Sequence, residues 1–160
     1  MTSTIKRLMS ELPNIEFKVV YVKEFDVVDI TREINEIIRS EKGNTIFVDV
    51  TEGRKTMSFG ALFAVSLNKE YVEGAFYLRQ DNHEFIQLPL IDFEVSSTKM
   101  MILKELESGN KKVTEINKKI KVNRSLIYAS IKDLIKKKYV TKDWDITDSG
   151  RICLMGSDDS

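Results

Sequence analysis

Between Ser97 and Met155 three short helical patterns follow one another with only a few residues between them, and a lysine triplet and two short strand-like stretches come next. Few small folds accommodate that order. Ser97-Thr98 supply a helix start, and Ile102, Leu103 and Leu106 recur at helical spacing until Gly109-Asn110 ends the pattern. Thr114 opens a second helix with Ile116 and Ile120 four apart on one face, and Lys121-Val122-Asn123 breaks it. Asn123 is placed to cap a third helix, with Val122 and Ile127 spaced as a hydrophobic staple and Ile127, Ile131 and Leu134 as its buried stripe.

That stripe leaves Arg124, Ser125, Tyr128, Ala129 and Lys132 on the opposite side, toward the helix N-terminus. After Lys136-Lys137-Lys138, Tyr139 to Lys142 has strand character, Asp143-Trp144-Asp145 can turn, and Ile146-Thr147 can return as a small wing. Asp148-Ser149-Gly150-Arg151 then begins a last helical turn. The succession predicts a winged helix-turn-helix over residues 97–156 whose partner is double-stranded DNA. Asn123, Arg124, Ser125 and Tyr128 are the candidates for base or phosphate contact, with Lys132 and the wing residue Lys142 on phosphates. Trp144 reads as a packing residue that anchors the wing. The ending resembles the "leucine-threonine-acid-x-glycine-arginine" close of MarR-like and archaeal winged-helix families, over about 60 residues.

Charge divides the chain in the same place. Residues 1–96 carry 11 Lys/Arg against 16 Asp/Glu, whereas residues 97–160 carry 14 against 9, so a formal net charge of zero hides an acidic module joined to a basic one. A basic module of this kind suits a polyanion. With 42% apolar residues the chain can bury one ordinary core or two small ones, and the second arrangement is expected here. Between Ile91 and Glu107 no Gly or Pro occurs, so the junction near residues 92–98 is expected to be stiff.

Residues 1–92 alternate helix and strand signals. A helix is expected from Thr2 to Leu12, a strand from Ile15 to Val22, and a helix from Val27 to Ser40 with Ile30, Ile34, Ile37 and Ile38 inward. Thr45 to Thr51 has the apolar character of a buried parallel strand, and a helix follows from Met57 to Leu67. Val72 to Leu78 and Glu84 to Leu88 read as strands joined by a hairpin at Arg79 to His83. Such alternation implies an α/β layer with a mainly parallel sheet. The segment Asp49-Val50-Thr51-Glu52-Gly53-Arg54-Lys55-Thr56-Met57-Ser58 sits where a parallel strand ends and a helix begins, the usual position of ligands in such sheets. Thr51, Glu52, Gly53, Arg54, Lys55, Thr56 and Ser58 are therefore the candidate ligand residues; glycine allows the turn, and cations, hydroxyls and helix-start amides suit phosphate. It is not a P-loop, since the G-x-x-x-x-G-K-[ST] spacing is absent.

That segment, followed by the small-residue helix Phe59 to Ala64, resembles the signature of CRISPR-associated Rossmann-fold (CARF) sensor domains, which read "aspartate-x-threonine-glycine-glycine-arginine-lysine" there. A CARF domain followed by a winged helix-turn-helix is the layout of archaeal CRISPR-associated transcriptional regulators, so the resemblance extends over nearly the whole chain. It implies a Rossmann-like domain, a homodimer, a palindromic DNA site, and a cyclic oligoadenylate such as cyclic tetra-adenylate bound across the dimer axis. Glu52 stands where the family more often has glycine, and no apolar strand precedes Thr2, so the sheet is expected to be truncated at its N-terminal side.

Other functions compete. A ring nuclease would use Lys55 or Arg54 to stabilise developing charge, but the lone His83, on a hairpin without a neighbouring carboxylate partner, is a poor general base. A truncated scaffold would dimerise without ligand, and an adaptor would use the acidic domain to recruit protein. The single Cys153 reads as a small buried hydrophobe, and no Cys/His cluster suggests a metal. No signal peptide or membrane span is evident, so a cytoplasmic protein with no membrane partner is expected.

Overall fold

The computed structural model describes residues 16, 18–93 and 95–157. These form a mixed α/β arrangement of six helices and a three-stranded sheet. The helix expected over residues 2–12 lies outside the described residues. So do Ile15 and Phe17 of the strand expected over residues 15–22; its described part, residues 16 and 18–22, joins no sheet. Val20 and Val22 instead line an apolar recess with Ile30, Ile34, Ile37 and Met57. Residue preference makes a segment extended, and only a partner makes it a strand.

Helix α1 (Val27–Ser40) has the bounds its sequence predicts, because Asp26 caps it by accepting from the Asp29 amide at 3.0 Å. Strand β1 (Phe47–Asp49) is shorter than expected, and helix α2 (Lys55–Leu67) begins two residues earlier than Met57. Strand β2 (Gly74–Leu78) pairs parallel with β1, and β3 (Phe85–Gln87) returns antiparallel after the predicted hairpin. The expected mainly parallel sheet is thus one parallel and one antiparallel pairing among the described strands. The unit β1-α2-β2 is the parallel crossover the alternation implied.

Both α1 and α2 lie on one face of the sheet, where Ile38, Ala64, Val65 and Ala75 form a buried cluster with Val48 and Leu88 against it. Small residues bring these helices together: a Cβ on Gly60 would stand 2.5 Å from Ile30 Cγ2 and 3.3 Å from the Thr31 amide. A buried amide pair adds specificity, Asn68 Nδ2 donating to Asn35 Oδ1 at 2.6 Å and to the Ala64 carbonyl at 2.7 Å. No described element covers the other face, so Phe47 and Phe85 are 66% and 67% exposed. The expectation of a strand buried on both sides is corrected accordingly.

Helices α3 (Ser97–Glu107), α4 (Val113–Ile120) and α5 (Arg124–Lys136) enclose a second cluster built from Ile102, Leu103, Leu106, Ile116, Ile127, Ile131 and Leu134. The wing is smaller than two strands: a single antiparallel bridge joins Val140 to Ile146. The last helical turn is a full helix, α6 (Asp148–Met155), capped by the Thr147 hydroxyl on the Gly150 amide at 3.2 Å. It packs against α1 and α2 as well as α3. Arg39 Nη2 donates to the Met155 carbonyl at 2.8 Å, and Leu67 lies against Gly156.

Residues 88–93 and 95–96 have no regular secondary structure but are held on both sides. The Ile91 amide donates to Ser66 Oγ at 3.0 Å, Phe93 meets Phe63 edge-on at 6.0 Å, and Phe93 and Val95 pack on the C-terminal cluster. Cys153 is buried as predicted, and burial pushes its thiol up to about 11, so it is inert at neutral pH.

Candidate nucleic-acid interface

The turn before α5 is fixed by three local features. Lys121 adopts a left-handed conformation at the end of α4, Asn117 Nδ2 donates to the Val122 carbonyl at 2.7 Å, and Asn123 Oδ1 accepts from the Leu126 amide at 2.8 Å. Asn123 is therefore a helix cap at this site, as its position predicted. Ile127 belongs to the C-terminal cluster and Val122 packs against it.

With Ile127, Ser130, Ile131 and Leu134 buried, α5 turns Arg124, Ser125, Leu126, Tyr128, Ala129 and Lys132 outward. At 100° per residue, Ser125, Ala129 and Lys132 run down the centre of the exposed face. Arg124 and Tyr128 stand on one flank and Leu126 on the other. The N-terminal part of that centre is built from the short side chains of Ser125 and Ala129, and the positive end of the helix dipole lies beneath it. The structure thus brings Arg124, Ser125, Tyr128 and Lys132 together on one convex surface. Leu126, 45% exposed, was not singled out by sequence reasoning. Its signal was its place outside the Ile127-Ile131-Leu134 stripe.

Ion pairs tie together the elements around α5. Glu105 on α3 accepts from Lys119 Nζ at 2.9 Å and from Asn110 Nδ2 at 2.6 Å, and these bonds hold its carboxyl below the usual carboxylate range. The Lys99 ammonium does the same to Asp133 on α5. Lys111, also unmarked by the sequence reading, donates to the Asp143 carbonyl at 2.9 Å and pairs with Asp145, fastening the start of α4 to the wing turn. Trp144 packs on the C-terminal cluster and meets the Tyr128 ring edge-on, with centroids 6.1 Å apart. It anchors the wing to the exposed flank of α5. Lys142 is exposed at the wing, beside Asp143 in sequence.

The loop at residues 49–58 is also assembled as a unit, but mostly for its own support. Asp49 Oδ1 accepts from the Thr51 amide at 2.8 Å and from the Thr51 hydroxyl, whose oxygen accepts from the Leu78 amide at 2.7 Å. Arg54 Nε pairs with Glu24 Oε2 at 2.7 Å, and its guanidinium lies 5.0 Å over the Phe25 ring. The Thr56 hydroxyl donates to the Glu24 carbonyl, and Ser58 Oγ to the Val50 carbonyl at 3.2 Å. Gly53 has φ +102°, a conformation that favours glycine. Exposed Lys55 and Glu52 have no side-chain partner among the described residues. An anion here would meet Lys55 and the backbone amides at the start of α2.

His83 lies exposed in the β2–β3 turn with φ +57°. Among the described residues no cluster of three His, Cys, Asp or Glu side chains is placed to hold a metal ion. Among them, too, no helix is long and apolar enough to cross a membrane.

Residues 96–142 match the family model described as bacterial regulatory protein, arsR family. The match spans α3, α4, α5 and the first half of the wing, and suggests a DNA-binding transcriptional regulator. The MarR-like families that this module resembles and the arsR family are both winged helix-turn-helix families. No curated protein matches the chain.

Proposed function

We propose that this chain is a DNA-binding transcriptional regulator of CRISPR or other antiviral defence genes, acting as a homodimer on a palindromic duplex. The observation that carries the DNA half is the outward face of α5, where Arg124, Ser125, Tyr128 and Lys132 share one surface at the N-terminal end of a capped helix. In this reading Arg124 reaches a base edge or phosphate, Ser125 and Tyr128 bond to bases or backbone, and Lys132 and Lys142 neutralise phosphates. Arg124→Ala weakens binding to the preferred duplex by about 1 to 3 kcal/mol, measured by gel-shift titration. An unchanged titration removes Arg124 from the site.

The regulatory half rests on the resemblance of residues 49–58 to the CARF signature. Cyclic tetra-adenylate binds across the dimer, its phosphates at Lys55, at the amides of Gly53 and at the start of α2. Helix α6 carries the signal, since it follows the wing and packs on α1 and α2. A specific observation favours a second reading, in which the α/β unit is a dimerisation scaffold: the hydroxyls of Thr51, Thr56 and Ser58 and the Arg54 guanidinium are already bonded within the chain. Calorimetric titration with cyclic tetra-adenylate separates the two. A working sensor takes up one ring per dimer and Lys55→Ala loses the heat; a scaffold gives no heat and no thermal stabilisation.

A further inference from the structure

The apolar groups on the exposed face of α5 are out of place for a helix that meets only water or phosphate. Leu126 is 45% exposed and Tyr128 55% exposed in the first turns, with Ala129 between them and the lysines 118, 121, 132, 136 and 142 exposed on α4, the turn after it, α5 and the wing. Leu126 is not a displaced core residue, because the adjacent Ile127 fills the core position at 0% exposure. Its backbone is also fixed, the amide being held by the Asn123 cap at 2.8 Å. The first two turns therefore present an isobutyl group and a methyl group at fixed positions to whatever the cationic residues attract.

The major groove of DNA has a matching chemistry. Its walls are phosphates, which pair with a cationic rim, and its floor is polar except where thymine C5-methyl groups protrude. We propose that Leu126 and Ala129 read thymine methyl groups, making them specificity-determining residues of the DNA site; this rests on the DNA-binding reading above. Ala129 at the centre of the face lets the helix approach a base edge closely, and Leu126 covers the methyl of a thymine on the flank away from the wing. Tyr128, held by Trp144 at 6.1 Å, borders the same surface on the wing side. An apolar contact distinguishes thymine from cytosine and from uracil, whereas Lys132 and Lys142 contribute alike to every sequence.

The test uses duplexes selected by the full chain from a random library, each then remade with deoxyuridine in place of thymidine at single positions, which removes only the methyl group. The wild type binds the thymidine duplex more tightly by about fourfold per contacted methyl, the worth of one buried carbon. Leu126→Ala brings that ratio to near one at the position Leu126 covers, while Lys132→Ala weakens both duplexes equally and leaves the ratio intact. Leu126 is exposed, so circular dichroism and the melting temperature stay those of the wild type. A wild-type ratio of one at every thymine overturns the proposal, and so does a ratio that Leu126→Ala and Ala129→Gly leave unchanged. Failure of the DNA-binding reading itself looks different: no duplex is enriched and none shifts at low salt.

Discussion

Replacing Ala129 by glutamate is expected to abolish duplex binding while leaving the protein folded. Ala129 is exposed at the centre of the α5 face, one turn after Ser125 and one before Lys132. Glutamate is nearly as good a helix former as alanine, so the helix tolerates it. On the DNA side the consequence is severe, because a carboxylate is placed where the helix approaches the groove between two rows of phosphates. Like charges brought together at an interface cost several kcal/mol, which corresponds to roughly a hundredfold loss or more. Fluorescence anisotropy with a labelled duplex reads the loss, and an unchanged thermal melt shows that the fold is intact. Retained affinity would mean that α5 does not face the DNA.

Gly150→Ala is expected to be the most damaging small substitution in the C-terminal unit. A Cβ at this position would clash with the Tyr139 carbonyl oxygen and stand 2.7 Å from Ile146 Cγ1. The Tyr139 oxygen has little freedom to retreat, since it accepts from the Thr147 amide at 3.0 Å, and Ile146 is bridged to Val140. The new methyl therefore forces α6 away from the base of the wing or breaks the bridge. Overpacking of this kind costs about 1 to 3 kcal/mol, read as a lower urea midpoint. DNA affinity falls as well, because the displaced wing no longer holds Trp144 against Tyr128. A midpoint equal to the wild type would show that α6 can slide on the wing without penalty.

The same contacts explain what the sequence could and could not disclose. Helix α1 and the α4–α5 turn were legible because their determinants are local: Asp26 and Asn123 are caps within three residues of the amides they serve. The stripe Ile127-Ile131-Leu134 marked the buried side of α5 by spacing alone, and so also marked its exposed side. The sheet was less legible because strands depend on distant partners. Val19 and Val20 have strand-forming side chains but lie exposed without pairing, while β1 shrinks to the three residues that find β2. Likewise the wing, read as two strands, keeps only the Val140–Ile146 bridge, and Lys111 reaches it across 32 positions in sequence.

In the loop after β1, composition suggested a set of phosphate ligands, yet Glu24, 30 positions before Arg54, already occupies that guanidinium. Residue types reveal what a side chain could bind. They do not reveal that a neighbour from another segment has bound it first. Leu126 is the converse case: its exposure was implicit in the stripe, but an apolar residue draws no attention in a search for charged and hydrogen-bonding groups.

The central claim is that α5 and the wing meet the phosphates and bases of duplex DNA, and the salt dependence of binding tests it most directly. Titrating the full chain against a labelled duplex between about 50 mM and 200 mM salt should lower the affinity by roughly a thousandfold, as expected for about six phosphate contacts in a dimer. Lys132→Ala should flatten that slope by about one contact per protomer. Binding that is absent at the lowest salt, or that does not change with salt, would contradict the assignment of this surface to DNA.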